Sequence, residues 1–158
     1  MNEGVGSTTI LVIMMVFVTI VSAYMAFNVN YNKAFRLKNK VIATYNKYDG
    51  NCGAECDAEI AEYAKEIGYS PHRSLNCDSS NIKPAGSQTI PNNYYCGYKI
   101  EVKGANSTGG ATKYYDEEER YYYRILTRID IQIPVVQNVF GLRILTVTGD
   151  TKVFTVED

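Results

Sequence analysis

The sequence predicts an α+β protein: a long N-terminal hydrophobic α-helix, the spine, then a small head in which one helix packs on a three- or four-stranded antiparallel sheet. Three observations carry this. From Gly4 to Asn32 the chain runs 29 residues without a charge. No Gly or Pro interrupts it between Gly6 and Gly50. Beyond residue 93 apolar side chains recur at every second position, the period of a half-buried strand. The chain thus divides into a helix over 1–48 and a head over 49–158. Within the helix, a membrane or filament-core part covers about 8–28 and an amphipathic part covers 29–48.

Ile10 to Phe27 is eighteen residues of mostly Ile, Val, Met and Phe, relieved only by Thr19 and Ser22. The helix of a soluble core shows a polar stripe, and this segment has none. At about 1.5 Å per residue, with Thr8, Thr9 and Asn28 flanking, it crosses a hydrocarbon layer of roughly 30 Å. Its high β-branched content suits lipid, where a helix satisfies its own backbone. The start Met1-Asn2-Glu3 lacks the basic region of a signal peptide, so an uncleaved anchor is expected. The alternative is a secreted module released after Ala23, where Val21-Ser22-Ala23 would serve as the cleavage site. After the span, apolar residues at 31, 35, 42 and 45 are compatible with one helix face. One helix from about residue 7 to 47 would be roughly 60 Å long, and Asp49-Gly50-Asn51 stops it.

In the head, residues 57–68 read as a helix with Ile60, Tyr63, Ala64 and Ile67 on one face, Asp57 as a cap and Gly68 at the C′ position. Its acids Glu55, Asp57, Glu59, Glu62 and Glu66 oppose the basic run Lys33, Arg36, Lys38, Lys40 and Lys47. They form either a solvated face or an electrostatic pairing with the spine, in the same or a neighbouring subunit. Residues 69–93, rich in Ser, Asn, Pro and Gly, read as an irregular loop. Tyr94, Cys96, Tyr98, Ile100 and Val102 alternate as a strand. The clearest strand is 121–133, with Tyr123, Ile125, Ile129, Ile131 and Ile133 on a buried face and Arg124, Arg128, Asp130 and Gln132 on a wet one. Pro134 ends it. Two short strands follow around a turn at Thr148-Gly149-Asp150.

Composition narrows the chemistry. With 16 Lys+Arg against 17 Asp+Glu, the chain has no basic field for nucleic acid. The single histidine, His72, stands in a polar loop, and no nucleophile has an evident base partner. No catalytic residue, cofactor, metal or small-molecule substrate is expected. Cys52, Cys56, Cys77 and Cys96 lack the paired spacing of a zinc ribbon and read as two disulfides of an exported domain. The pairing Cys52–Cys56 with Cys77–Cys96 is preferred because each closes a local loop. The acidic run Asp116 to Glu119 reads as a solvated turn, and Asn106 heads a glycosylation triplet. Fourteen tyrosines exceed what the buried faces of so small a sheet hold, so some are expected at subunit or adhesive contacts.

The Gly-rich start Glu3-Gly-Val-Gly-Ser-Thr-Thr, the span running straight into Asn28–Lys40, and the late strand, Pro134 and Gly149-Asp-Thr-Lys ending resemble type IV pilin-like proteins. Within that group the resemblance is to the TadE-like pilins and pseudopilins of tight-adherence systems. It implies a structural subunit of an extracellular filament, a fimbrium, whose core is the bundled helices. It also implies a homo-oligomer, residence in the cell membrane with the head outside before assembly, and a pilus assembly machinery as partner. Core contacts would fall on Ile10, Val12, Ile13, Val16, Phe17, Thr19, Ile20 and Ala23. Electrostatic contacts would fall on Glu3, Lys33, Arg36, Lys38, Lys40, Glu59 and Glu62. These pilins carry a Glu early in the mature helix; a cut after Gly4 or Gly6 leaves Thr9 or Leu11 there, with Glu3 the nearest carboxylate. The basic residues after the span would by themselves hold the head in the cytoplasm, whereas the cysteines put it outside. The alternative function is a membrane-anchored extracytoplasmic binding domain that does not polymerise.

Overall fold

The computed structural model describes residues 3–69, 77–78, 83–102, 120–130 and 144–155. His72, Asn106, the run 116–119, Pro134 and the predicted strand residues 131–133 lie outside this set, as does the side chain of Glu3.

Helix α1 (Glu3–Lys47) is one uninterrupted helix of 45 residues, about 67 Å long at the standard rise. It stops as the sequence requires. Asp49 and Gly50 take positive φ of 47° and 80°, and the Gly50 N–H closes back on the Tyr45 carbonyl at 2.9 Å. Helix α2 (Ala54–Glu66) starts three residues earlier than predicted, with Gly53 rather than Asp57 at the N-cap. The Asp57 carboxylate instead accepts from Asn92 Nδ2 at 3.1 Å and from the Tyr95 hydroxyl at 3.3 Å. Gly68, at φ 64°, ends the helix where expected.

Among the described residues five strands follow: β1 (Gln88–Pro91), β2 (Cys96–Val102), β3 (Arg120–Asp130), β4 (Ile144–Asp150) and β5 (Phe154–Thr155). All pairings are antiparallel in the order β1-β2-β3-β4, with β5 also on β3. Two expectations are corrected here. The segment 69–93 contains β1, which runs along the edge of β2. Pro91, which cannot donate to a ladder, sits at the end of this edge strand. The second correction concerns 148–150: Gly149 and Asp150 lie inside β4, and the chain makes no hairpin there. It continues along β3 past a bulge. Arg124 faces Asp150 and Tyr121 faces Phe154, so three steps on β3 match four on the other strand. Thr151 repairs the ladder. Its N–H donates to the Tyr123 carbonyl and its hydroxyl oxygen accepts the Tyr123 N–H, both at 2.9 Å.

The core lies between the lower half of α1, α2 and one face of the sheet. Ala34, Leu37, Val41 and Tyr45 from α1 meet Cys56, Ile60 and Ala64 from α2 and Tyr95, Tyr123, Ile125, Ile129 and Phe154 from the sheet. The buried stripe of α1 is therefore rotated from the predicted 31/35/42/45. Tyr45 keeps its place, Ile42 is half-buried, and Tyr31 and Phe35 stay exposed. Gly149 explains the close approach of β4: a Cβ there would meet Ile42 Cδ1 at 2.8 Å and Lys38 Cδ at 3.1 Å. The far sheet face is drier than alternation alone implied. Cys77, Cys96, Tyr98 and Leu126 form a second buried cluster on it, held by the Tyr98 hydroxyl on the Cys77 carbonyl at 2.8 Å. Farther along that face Arg124 makes a bidentate pair with Asp150 at 2.8 and 3.0 Å.

Candidate assembly surface

Among the described residues, the upper half of α1 leaves its apolar side chains exposed. Ile10, Val12, Ile13, Val16, Phe17 and Ile20 are each more than half exposed, Thr19 is exposed and Ala23 partly so. By length and composition this stretch can cross a membrane. Three of its polar side chains bond back along the helix. The hydroxyls of Thr19 and Ser22 donate to the carbonyls of Met15 and Val18 at 2.8 Å, and the Asn28 amide donates to the Tyr24 carbonyl at 3.0 Å. Each reaches back one turn, which lowers the cost of placing these groups in an apolar setting. Spacing alone did not reveal these bonds, though Ser, Thr and Asn in an apolar helix are the residue types that form them.

Below Asn28 the charges sort by helix face. Lys33, Lys40 and Lys47, seven residues apart, all reach α2. Lys33 Nζ donates to the Gly68 carbonyl at 3.2 Å, and Lys40 and Lys47 grip the two Glu59 oxygens at 2.6 and 3.1 Å. The α2 C-terminus and its one inward-turned glutamate thus dock on a cationic seam. These two hydrogen bonds hold the Glu59 carboxyl below its ordinary range, and Glu59 in turn raises Lys47. Of the predicted electrostatic residues, Lys33, Lys40 and Glu59 therefore meet within one chain. Lys38 is buried, its ammonium 4.3 Å from the centre of the Phe35 ring. Arg36 and Glu62 are exposed, with no ion pair among the described residues.

The tyrosines also divide. Tyr45, Tyr69, Tyr95, Tyr98 and Tyr123 are buried, and every one has a hydroxyl partner: Tyr45 and Tyr95 share a contact of 3.1 Å, Tyr69 donates to the Arg128 carbonyl at 2.6 Å, Tyr123 to the Gly50 carbonyl at 2.9 Å, and Tyr98 to Cys77. Burial raises the pKa of each, Tyr123 to about 12. Tyr24 and Tyr31 are exposed on the spine, and Phe27, Tyr31 and Phe35 form a ladder with ring centroids 6.2 and 6.3 Å apart. The cysteines pair as Cys52–Cys56, which ties the α1–α2 turn to α2, and Cys77–Cys96, which ties a loop to β2. A shallow groove of about 390 Å³ beside α2 is lined by Asp57, Ala58, Ala61, Asn92, Asn93 and Tyr94.

Comparison with protein-family models, with curated proteins and with solved structures yields no match.

Proposed function

We propose that this chain is a structural, non-catalytic subunit of a type IV pilus-like extracellular filament. It is held in the membrane by α1 before assembly and polymerises by bundling that helix. One observation carries the reading: a single unbroken helix is bare and apolar along its upper half and clothed by a disulfide-bonded head along its lower half. A surface that is apolar all round is tolerated in only two settings, lipid or the interior of a bundle, and the same surface serves both in turn. The two disulfides support an external head, because such bonds persist in oxidising compartments. The test is replacement of Val12 or Val16 by Arg in the full-length chain, followed by electron microscopy of the material released from the membrane. Wild type should form filaments, and each Arg variant should lose them while its head keeps both disulfides. Filaments unaffected by either Arg would exclude a helical core at these positions.

The groove at Asp57, Asn92 and Tyr94 favours a second reading, a membrane-anchored extracytoplasmic binding domain. That reading requires detergent-solubilised monomers that bind a ligand unaided, with binding lost in Asp57→Ala.

A further inference from the structure

Among the described residues, the head covers one side of the lower spine. Opposite its buried stripe, Tyr31, Asn32, Phe35, Arg36 and Asn39 are all exposed. This arc is aromatic at one edge and cationic at the other. Tyr31 and Phe35 are stacked yet remain 41% and 40% exposed. Arg36, about 100° round the helix from Phe35, has no acidic partner among the described residues. The arc also continues the apolar surface above it through Val29, which is 54% exposed.

Helix α2 carries the complement. Glu55, Glu59, Glu62 and Glu66 fall on one stripe, at steps of four, three and four residues. Among the described residues, Glu59 alone of the four is neutralised, by Lys40 and Lys47. Glu55, Glu62 and Glu66 are exposed and unmatched among the described residues. The cations that face α2 are already engaged: Lys33 holds Gly68, and the other two hold Glu59. Among the described residues, three acids of the α2 stripe and Arg36 of the spine arc are therefore left without an ionic partner, and Tyr31 and Phe35 stay exposed beside Arg36 although Lys38 covers part of the Phe35 ring.

We propose that a second copy of this chain lays the outer side of its α2 across the exposed arc of the lower spine. Glu62 and Glu66 then reach Arg36, while Ala58 and the stem of Lys65, both exposed on α2, lie over Phe35 and Tyr31. The contact joins two different surfaces, so it repeats from copy to copy and builds a ring or a filament rather than a closed pair. An exposed ion pair adds little by itself, so its part is to set register and suppress wrong contacts, with the effect multiplied along the assembly. The proposal rests on the filament reading and adds to it a contact between neighbours outside the apolar core.

The test is charge reversal in the full-length, disulfide-bonded chain, with self-association followed by light scattering as detergent is diluted. Arg36→Glu, and separately Glu62→Arg with Glu66→Arg, should each raise the concentration for half-association about tenfold. Combining all three should return it to within about threefold of wild type. Circular dichroism checks that the variants fold. Association that ignores the single reversals, or a combination no better than its parts, overturns this contact alone. A wild-type chain that never associates overturns the filament reading and this contact together. As an independent measurement, a photo-cross-linking amino acid at position 35 in phosphatidylcholine–phosphatidylglycerol vesicles should yield chain-to-chain adducts reaching α2. Adducts to lipid alone would overturn the proposal in favour of a membrane-facing arc.

Discussion

Thr151 shows how a single residue can hold a sheet together where its ladder breaks. The bulge removes the usual backbone acceptor for the Tyr123 N–H, and the Thr151 hydroxyl takes its place at 2.9 Å in a buried position. Thr151→Val keeps the shape and removes the acceptor, so it should cost about 1–3 kcal/mol in denaturant unfolding of the head. Thr151→Ser should stay near wild type. Gly149 acts by absence: Gly149→Val would drive methyl groups into Ile42 and Lys38, an overpacking cost of about 1–3 kcal/mol. The buried tyrosines give the head an alkaline limit. Tyr123 in the unfolded chain ionises near 10, whereas burial holds it neutral to about 12. Its contribution is thus complete below pH 10 and falls as pH rises towards 12. Stability measured against tyrosinate absorbance should decline across that window and less so in Tyr123→Phe. None of this was readable from spacing. Gly149 beside Asp150 carries the residues of a turn, and only the register against β3 shows that it marks a close approach instead.

At the scale of elements, α2 docks on the spine through charge as well as apolar contact. Glu59 is held by two lysines, Lys40 and Lys47, that approach one carboxylate from positions about two turns apart on α1. Its folded pKa lies below the ordinary 4.5, so the docking contribution is present above that value and is lost as pH falls through the lowered one. Wild type should therefore melt above Glu59→Gln at neutral pH, and the difference should vanish on acidification below pH 4.5, as read by circular dichroism across pH. The opposition of basic spine and acidic helix was legible in the sequence because the two runs are compact and of opposite sign. Which acid would be used was not, because Glu55, Glu62 and Glu66 share the stripe of Glu59. The long helix was legible for a firmer reason: no residue between Gly6 and Gly50 can break it. The face it buries was misplaced because Tyr31 and Phe35 are apolar residues that serve the outside of the molecule, and periodicity does not distinguish a core face from an outward one. Strand β1 went unseen because four residues ending in proline carry too short an alternation to stand above a loop.

Across the whole molecule, the chain is half satisfied. The head closes its own core and ties its loops with two disulfides, while the upper spine presents exposed apolar side chains and bonds the Thr19 and Ser22 hydroxyls to its own backbone. Such a molecule gains little as a free monomer in water, since about 25 cal/mol is lost for each Å² of apolar surface left wet. Its near-balanced charge fits the same division, with basic spine set against acidic α2 inside the chain and the surplus charges turned outward. Under the proposed function, the upper half of α1 passes from lipid into a bundle of identical helices. Helical reconstruction by electron cryomicroscopy of the full-length chain after extraction from the membrane tests it most directly. The expected result is a filament whose axis is a bundle of α-helices containing Ile10 to Ala23, with the heads outside. Particles that remain single heads on a detergent-coated helix, at any concentration, would contradict it.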